Sequence, residues 1–367
     1  MGNLKRRAWL GHAGAAGTLA ALSAPTVAAA LPAVRWRLAS SFPKGLDTIF
    51  GGATMLSERV AELTQGRFRI KVFAAGEVAP ALKVLDAVKE GTTECGHSAS
   101  YYYVDKNKAF AFDCALPFGL TARQQNAWMY FGGGMELLRP FFAEHGIVNF
   151  PGGNTGTQMG GWFRKEINSV DDLKGVKMRI PGIGGEIMAK LGVLPQAIAG
   201  GDIFAALDKG LIDAAEWIGP YDDEKLGFHR LVKNYYYPGW WEPETQLSFY
   251  VNSKEWAKLP TPYQEAFASA AAEVNLKMVA QYDVLNPRAL LMLIGRGVRL
   301  HRFPQDVMVA AHKLSLELYD AEAASNPGFG HIYGEWGKFR RSIARWHGLA
   351  EHTLEHFLYT VPQKPAG

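Results

Sequence analysis

The sequence predicts an α/β protein built as two lobes, each a β-sheet flanked by helices, and three observations predict it. Segments that alternate apolar and polar residues take turns with segments of helical spacing, the pattern of parallel sheets packed with helices. One such set breaks off near residue 153, and strand-like sequence of the first kind resumes near TQLSFYVN, residues 245–252, so a second set sits inside the first. The chain of 367 residues also exceeds the ~250–300 residues that one core usually organises.

Taken in order, residues 1–30 read as an export signal. Lys5-Arg6-Arg7 precedes an apolar Ala/Gly/Leu run too short to span a bilayer, and Ala28-Ala29-Ala30 forms a cleavage site. The adjacent arginines before Ala8-Trp9-Leu10 predict the twin-arginine route, an ordinary secretory signal being the alternative, and so a periplasmic location. Removal of these residues lowers the formal charge from +4 to +1. So neutral a chain has no electrostatic case for nucleic acid or an anionic membrane.

The first lobe begins with the alternating VRWRLASS (34–41) as a strand. A helix follows over DTIFGGATMLSERVAELTQG (47–66), with Asp47 as its cap and Gly66 as its stop. FRIKVF is a strand, APALKVLDAVKEG a helix and TECGHSAS a strand. In the second lobe TQMGGWFRK is strand-like, SVDDLKG a short helix capped by Ser169, VKMRI a strand, GGEIMAKLG a helix and LPQAI a strand. GDIFAALDKG then forms a helix capped by Asp202, and IDAAEWI a strand. The long helical run 262–285 is expected to stop at Asn286-Pro287, because proline lacks the amide donor and restricts the residue before it. Amphipathic stretches fill about 304–323, 330–346 and 349–359. The resulting division is 31–153 plus about 246–300 as lobe I, 154–245 as lobe II, and 300–367 as a helical C-terminal region.

The stretch KMRIPGIGGE (177–186) admits two chemistries. A glycine turn between strand and helix resembles a phosphate loop, yet Ile187 replaces the third glycine of G-x-G-x-x-G, and no lysine-serine or lysine-threonine pair follows. The glycines then serve close backbone approach. Arg179 stands nearer the strand's carboxyl end than Lys177, and ligands of open α/β sheets bind beyond those ends. Its planar fork suits a carboxylate. Other strand ends offer Asn154 and Gln158, Ser98 and Ser100 with Tyr101, Tyr102 and Tyr103, and the pair Glu216-Trp217. Trp240, Trp241 and Glu242 precede the return to the first lobe. Aromatic walls with a few polar groups describe a small-ligand site. Glu216 beside a carboxylate-binding arginine requires either a cation or pairing with Arg179 itself. HTLEH (352–356) matches a zinc-protease pattern but has little chain around it for a third ligand. Cys95 and Cys114 fit no metal spacing, and their pairing is open.

Long strings carry a family resemblance from about residue 35 to about 350, among them FAAGEVAPALKVLDAV, FPGGNTGTQMGGWFRKEI, IAGGDIFAALDKGLIDAAEWIGPYDDEKLGF and YYYPGWWE. They resemble the substrate-binding subunit of TRAP (tripartite ATP-independent periplasmic) transporters, most of all the type that binds 2-oxo acids such as pyruvate. The resemblance implies a periplasmic-binding-protein-like fold with a long interlobe helix and a helical C-terminal tail. It also implies a receptor without catalysis, working with small and large membrane subunits and dimerising through the C-terminal helices. Arg179 falls on the position that grips the ligand carboxylate. Gln158, Glu216 and the Trp217 carbonyl fall on the positions that hold Na+, with Ca2+ equally allowed by the donor types. Tyr101, Tyr102 and Asn154 match the ligand-contacting region, and Glu242 or Gln246 completes the cation shell. The sequence departs from the pattern at Pro181, Ile183 and the extra acid Glu244. The rival readings are a periplasmic enzyme, for which no cofactor motif is present, and a sensory receptor using the same cleft.

Overall fold

The computed structural model describes residues 31–362; the export-signal and twin-arginine readings lie outside the described residues. In chain order the strands are β1 (Val34–Ser40), β2 (Phe68–Phe73), β3 (Cys95–Ser98), β4 (Ile147–Asn154), β5 (Trp162–Phe163) and β6 (Lys177–Arg179). They continue as β7 (Leu194–Gln196), β8 (Ala214–Ala215), β9 (Asn234–Tyr237), β10 (Gln246–Asn252) and β11 (Arg299–Arg302). One sheet has the order β2-β1-β3-β10-β4, the other β11-β9-β5-β8-β6-β7. Alternation does its work in β1, where Trp36 and Leu38 are buried between exposed Arg35 and Arg37.

Both sheets are mixed rather than parallel. The chain returns from the second sheet as β10 and enters the first antiparallel to both β3 and β4, while β5 runs antiparallel to β8 and β9. Residues 299–302, which carried no strand expectation, extend the second sheet as β11, parallel to β9. Helices Ala122–Phe131 and Gly134–Glu144 were likewise not anticipated; Gln124 Oε1 accepts the Thr121 N–H at 3.1 Å to open the first.

Two helix boundaries differ from the sequence reading. The long helix runs Thr261–Gly295 straight through Pro287. Ala289 and Leu293 beyond the proline are buried, so tertiary packing offsets the lost amide bond. Asp47 does not cap the helix Ile49–Leu63, whose N-cap is Thr48; its carboxylate turns outward to Lys225 and Tyr221. Cys95 and Cys114 are both buried and free. His352 and His356 lie on one face of the exposed helix Glu351–Thr360, with ring centroids 6.0 Å apart.

The short helix Pro220–Leu226 is pinned by two buried acids. Asp223 accepts from Trp162 Nε1 at 2.9 Å and Tyr235 Oη at 2.6 Å, and Asp222 accepts from Tyr282 Oη of the long helix at 2.8 Å. Burial pushes Asp222 up to about 7 and Asp223 to about 6. An acid with a raised native pKa holds its proton longer folded than unfolded, so stability is lost as pH rises from the ordinary carboxylate range through the native value. The ligand-free protein should therefore melt at a lower temperature at pH 8 than at pH 5. Asp222→Asn should remove about one proton's share of that slope, ~1.4 kcal/mol per pH unit. Calorimetric melting across pH 5–8 checks this; equal slopes for the two proteins would refute the Asp222 assignment.

Candidate functional site

The site gathers where β6, β8, β4 and β10 end or begin. Register pairs Arg179 of β6 with Ala215 of β8, so the residue following β8, Glu216, falls beside the guanidinium. Arg179 is only 1% exposed. Its Nε donates to the Ile198 carbonyl at 2.9 Å, and Nη1 donates to the Glu216 carbonyl at 3.0 Å and to Glu216 Oε1 in a buried ion pair. The Trp217 ring lies 5.1 Å from the guanidinium carbon.

The buried polar atoms around this pair without a hydrogen-bond partner within the protein include Arg179 Nη2, Glu216 Oε2 and Gln158 Oε1. A buried group left so costs about 1–3 kcal/mol, more when charged, so each of these atoms has capacity to bond a ligand. One is a guanidinium donor and two are oxygen acceptors. The donor suits an anion, and a carboxylate with an amide oxygen suits a hard cation. Among the described residues no group of three or more His, Cys, Asp or Glu side chains is placed to hold a metal. Any cation here must draw on amide, carbonyl or ligand oxygens beside Glu216.

The supporting shell fixes these atoms. Gln158 Nε2 donates to Thr245 Oγ1 at 2.8 Å and Thr155 Oγ1 at 3.2 Å, and Thr245 Oγ1 donates to Glu242 Oε2 at 2.9 Å. The amide nitrogen is thus anchored while its oxygen stays open. Asn154 is committed differently: its Nδ2 donates to Glu244 Oε2 at 2.5 Å and its Oδ1 accepts from the Gly156 N–H at 2.9 Å. Glu244, the acid that departs from the family pattern, holds Asn154 in place. Gln246 lies in a neighbouring network, with Nε2 donating to the Asp113 carbonyl at 2.8 Å and its Oε1 unpartnered.

Charge in this region is unbalanced. Glu216 and Glu242 are buried beside one buried guanidinium, and Glu244 and Asp113 are buried in the adjoining polar network. Burial pushes all four carboxyls up, Glu216 to about 7 and Asp113 to about 6, and Glu242 rises further beside Glu216. Desolvation is the strongest influence on Arg179 and opposes its charge, but Glu216, Tyr102, Tyr101 and Glu242 together outweigh it and keep the guanidinium protonated. A bound cation would relieve this surplus of acid.

Tyr101 and Tyr102 meet edge to face, 5.0 Å between centroids, and form the opposite wall. With Ile180, Pro181, Gly182 and Glu186 they also line an outer groove of about 270 Å³, whose walls do not include Arg179, Gln158, Glu216 or Trp217. Gly182 takes φ +67° against Tyr101, and a Cβ on Gly184 would overlap Trp241. The glycines of KMRIPGIGGE (177–186) therefore admit aromatic rings. The other candidate side chains serve the core: Ser98 bonds Tyr103 and Ser41, Ser100 bonds Asp113 and Tyr250, and Trp240 stacks on Phe118. Sequence reading missed Thr155, Thr245 and Asp113, as well as Gly200, where a side chain would overlap the Trp217 indole. The clustering of Thr245 between Glu244 and Gln246 was the available signal.

Residues 39–326 match the family model described as bacterial extracellular solute-binding protein, family 7 (DctP). The chain belongs to that family. A monocarboxylate 2-oxoacid-binding periplasmic protein of Nostoc sp. is 50% identical over 360 residues, covering 96% of this chain and 99% of that protein. A TRAP transporter solute-binding protein of Bordetella bronchiseptica is 50% identical with a TM-score of 0.88, over 89% of this chain and 98% of that one. It was solved as a mixed-occupancy dimer, with copurified calcium and picolinate in one active site and the other apo. A TRAP periplasmic solute-binding protein of Pseudoalteromonas atlantica, solved with sodium and pyruvate, is 39% identical with a TM-score of 0.86, over 90% of this chain and 99% of that one. The solute-binding protein described here shares their fold, with mixed sheets flanked by helices and a long helix near the C-terminus. No helix among its described residues is long and apolar enough to cross a membrane.

Proposed function

We propose that this solute-binding protein is the extracytoplasmic receptor of a TRAP transporter for a small 2-oxo monocarboxylate, held together with Na+ or Ca2+. The observation that carries the proposal is the buried Arg179–Glu216 pair with one open donor and one open acceptor, beside the open amide oxygen of Gln158. In this reading Arg179 grips the carboxylate through Nη2, Trp217 covers the guanidinium, and Tyr101 and Tyr102 close the site from the other lobe. Glu216, Gln158 and the Trp217 carbonyl hold the cation, whose remaining oxygens come from the ligand. Glu242 acts through Thr245 on Gln158, while Asn154 and Gln246 support the framework. The cation's charge is what allows a carboxylate ligand beside Glu216. Relatives solved with a cation and a carboxylic acid together support the pairing.

The lobe boundaries given above, a periplasmic site of action, export by the twin-arginine route and delivery to small and large membrane subunits complete the proposal. Exposed Trp346, Leu349, Leu354, Phe357 and Tyr359 on the last two helices suit a homodimer contact. Calorimetric titration with pyruvate in sodium, in calcium, and in choline with a chelator tests the central reading. Saturable binding that needs one of the two cations is expected. Absence of binding in all three buffers would overturn it.

A further inference from the structure

We infer that two charge pairs of opposite polarity, Lys225 with Asp47 and Glu186 with Lys108, form a clasp across the cleft that sets how long a bound acid is retained. The ligand part of this inference rests on the receptor reading above; the clasp itself rests on topology. The two strands that deliver Arg179 and Glu216 each lead into a short helix. Strand β6, ending at Arg179, leads into the helix Gly182–Lys190, and β8, followed by Glu216, leads into the helix Pro220–Leu226. Each helix carries one charged residue to the other lobe.

On one side Glu186 lies 3.5 Å from Lys108, which opens the helical turn Lys108–Asp113 and is also held 3.3 Å from Glu322. On the other, Lys225 pairs with Asp47 in the loop after β1; the Tyr221 hydroxyl donates to the same carboxylate at 3.1 Å, and the Lys225 ammonium sits 4.1 Å from the Tyr221 ring centroid. The far side of that helix is tied to the long helix, since the Tyr221 N–H donates to Asn286 Oδ1 at 3.1 Å. Movement at Arg179 or Glu216 is therefore passed through one short helix to a contact with the opposite lobe. None of the four residues is hydrogen-bonded to Arg179, Gln158 or Glu216.

The pairs are partly exposed, with side-chain exposures of 26% for Lys225 and 58% for Asp47, and 25% for Lys108 and 39% for Glu186. Exposed pairs contribute little to the stability of a fold. Across a cleft they act on a smaller quantity, the balance between closed and open lobes, and opening is what limits release. Their removal should accelerate dissociation and leave association nearly unchanged. That makes these four positioning residues, distinct from the groups that contact the ligand.

The test uses Asp47→Asn and Glu186→Gln, which remove charge but keep shape and a hydrogen-bond acceptor. Stopped-flow tryptophan fluorescence reads pyruvate association and dissociation at fixed sodium. Each variant should raise koff about two- to five-fold, the double variant more, with kon within about two-fold of the parent. Added choline chloride should raise koff of the parent but not of the double variant, and Asp47→Lys combined with Lys225→Asp should restore slow release relative to Asp47→Lys alone. A double variant whose koff stays within about 1.5-fold of the parent would overturn the clasp. If the parent fails to bind pyruvate with either cation, the receptor reading falls instead. Small-angle scattering of the ligand-free proteins then decides the clasp: a larger radius of gyration in the double variant supports it, and equal radii overturn it.

Discussion

Arg179→Ala is expected to abolish measurable pyruvate binding, a loss of about 100- to 1,000-fold or more, because it removes the buried partner of a desolvated anion, at about 3–5 kcal/mol. The loss has two sources. The ligand carboxylate loses the buried guanidinium at the site, and Glu216 is left without the positive charge that now faces it. Arg179→Lys separates them. Lysine keeps a positive charge for Glu216 but cannot donate at once to the Ile198 carbonyl, to Glu216 and to a ligand along the guanidinium's fixed directions. It should fold as the parent does and bind about 10- to 100-fold more weakly. Calorimetry gives the affinities and a thermal melt confirms folding. An alanine variant that melts normally and binds within tenfold of the parent would remove the proposed carboxylate grip.

Glu216→Gln should uncouple ligand affinity from the cation. Glutamine retains an oxygen to accept from Arg179 Nη1, so the arginine stays oriented, while the negative charge that would hold the metal is gone. In sodium or calcium, pyruvate affinity should fall at least about 100-fold, and transfer to choline with a chelator should cause no further loss. Calcium should suffer more than sodium, since its two charges interact more strongly with the lost carboxylate. Titrations of both proteins in three buffers supply the six affinities required. If the variant keeps the parent's gain on adding calcium, Glu216 is not a cation ligand and its role reduces to pairing with Arg179.

Much of the site was legible because its groups sit at ends of strands whose periodicity is local. Arg179 at the end of VKMRI and Glu216-Trp217 at the end of IDAAEWI were both placed at strand ends, beyond which α/β ligands tend to bind. The commitments of the polar shell were not legible. Asn154 reads as a free ligand contact until Glu244 is found within hydrogen-bonding distance, 90 residues away. Gln246 reads as one more cation ligand, but that its amide nitrogen is anchored on Asp113 with Oε1 left open is visible only in the fold. The long helix defies its proline because the residues beyond it are buried, a property no local window contains.

The α/β class, the two sets of elements, the helical C-terminus and the residue types available for an anion and a cation all follow from patterns a few residues long. Tertiary packing made both sheets mixed, set Arg179 in register with Ala215 so that it meets Glu216, and turned the Asp47 carboxylate to Lys225, 178 residues away, instead of to a helix cap. The reason is physical. Local patterns report which face of an element is buried, whereas hydrogen bonds and ion pairs depend on which elements become neighbours, and that is settled by packing of the whole chain.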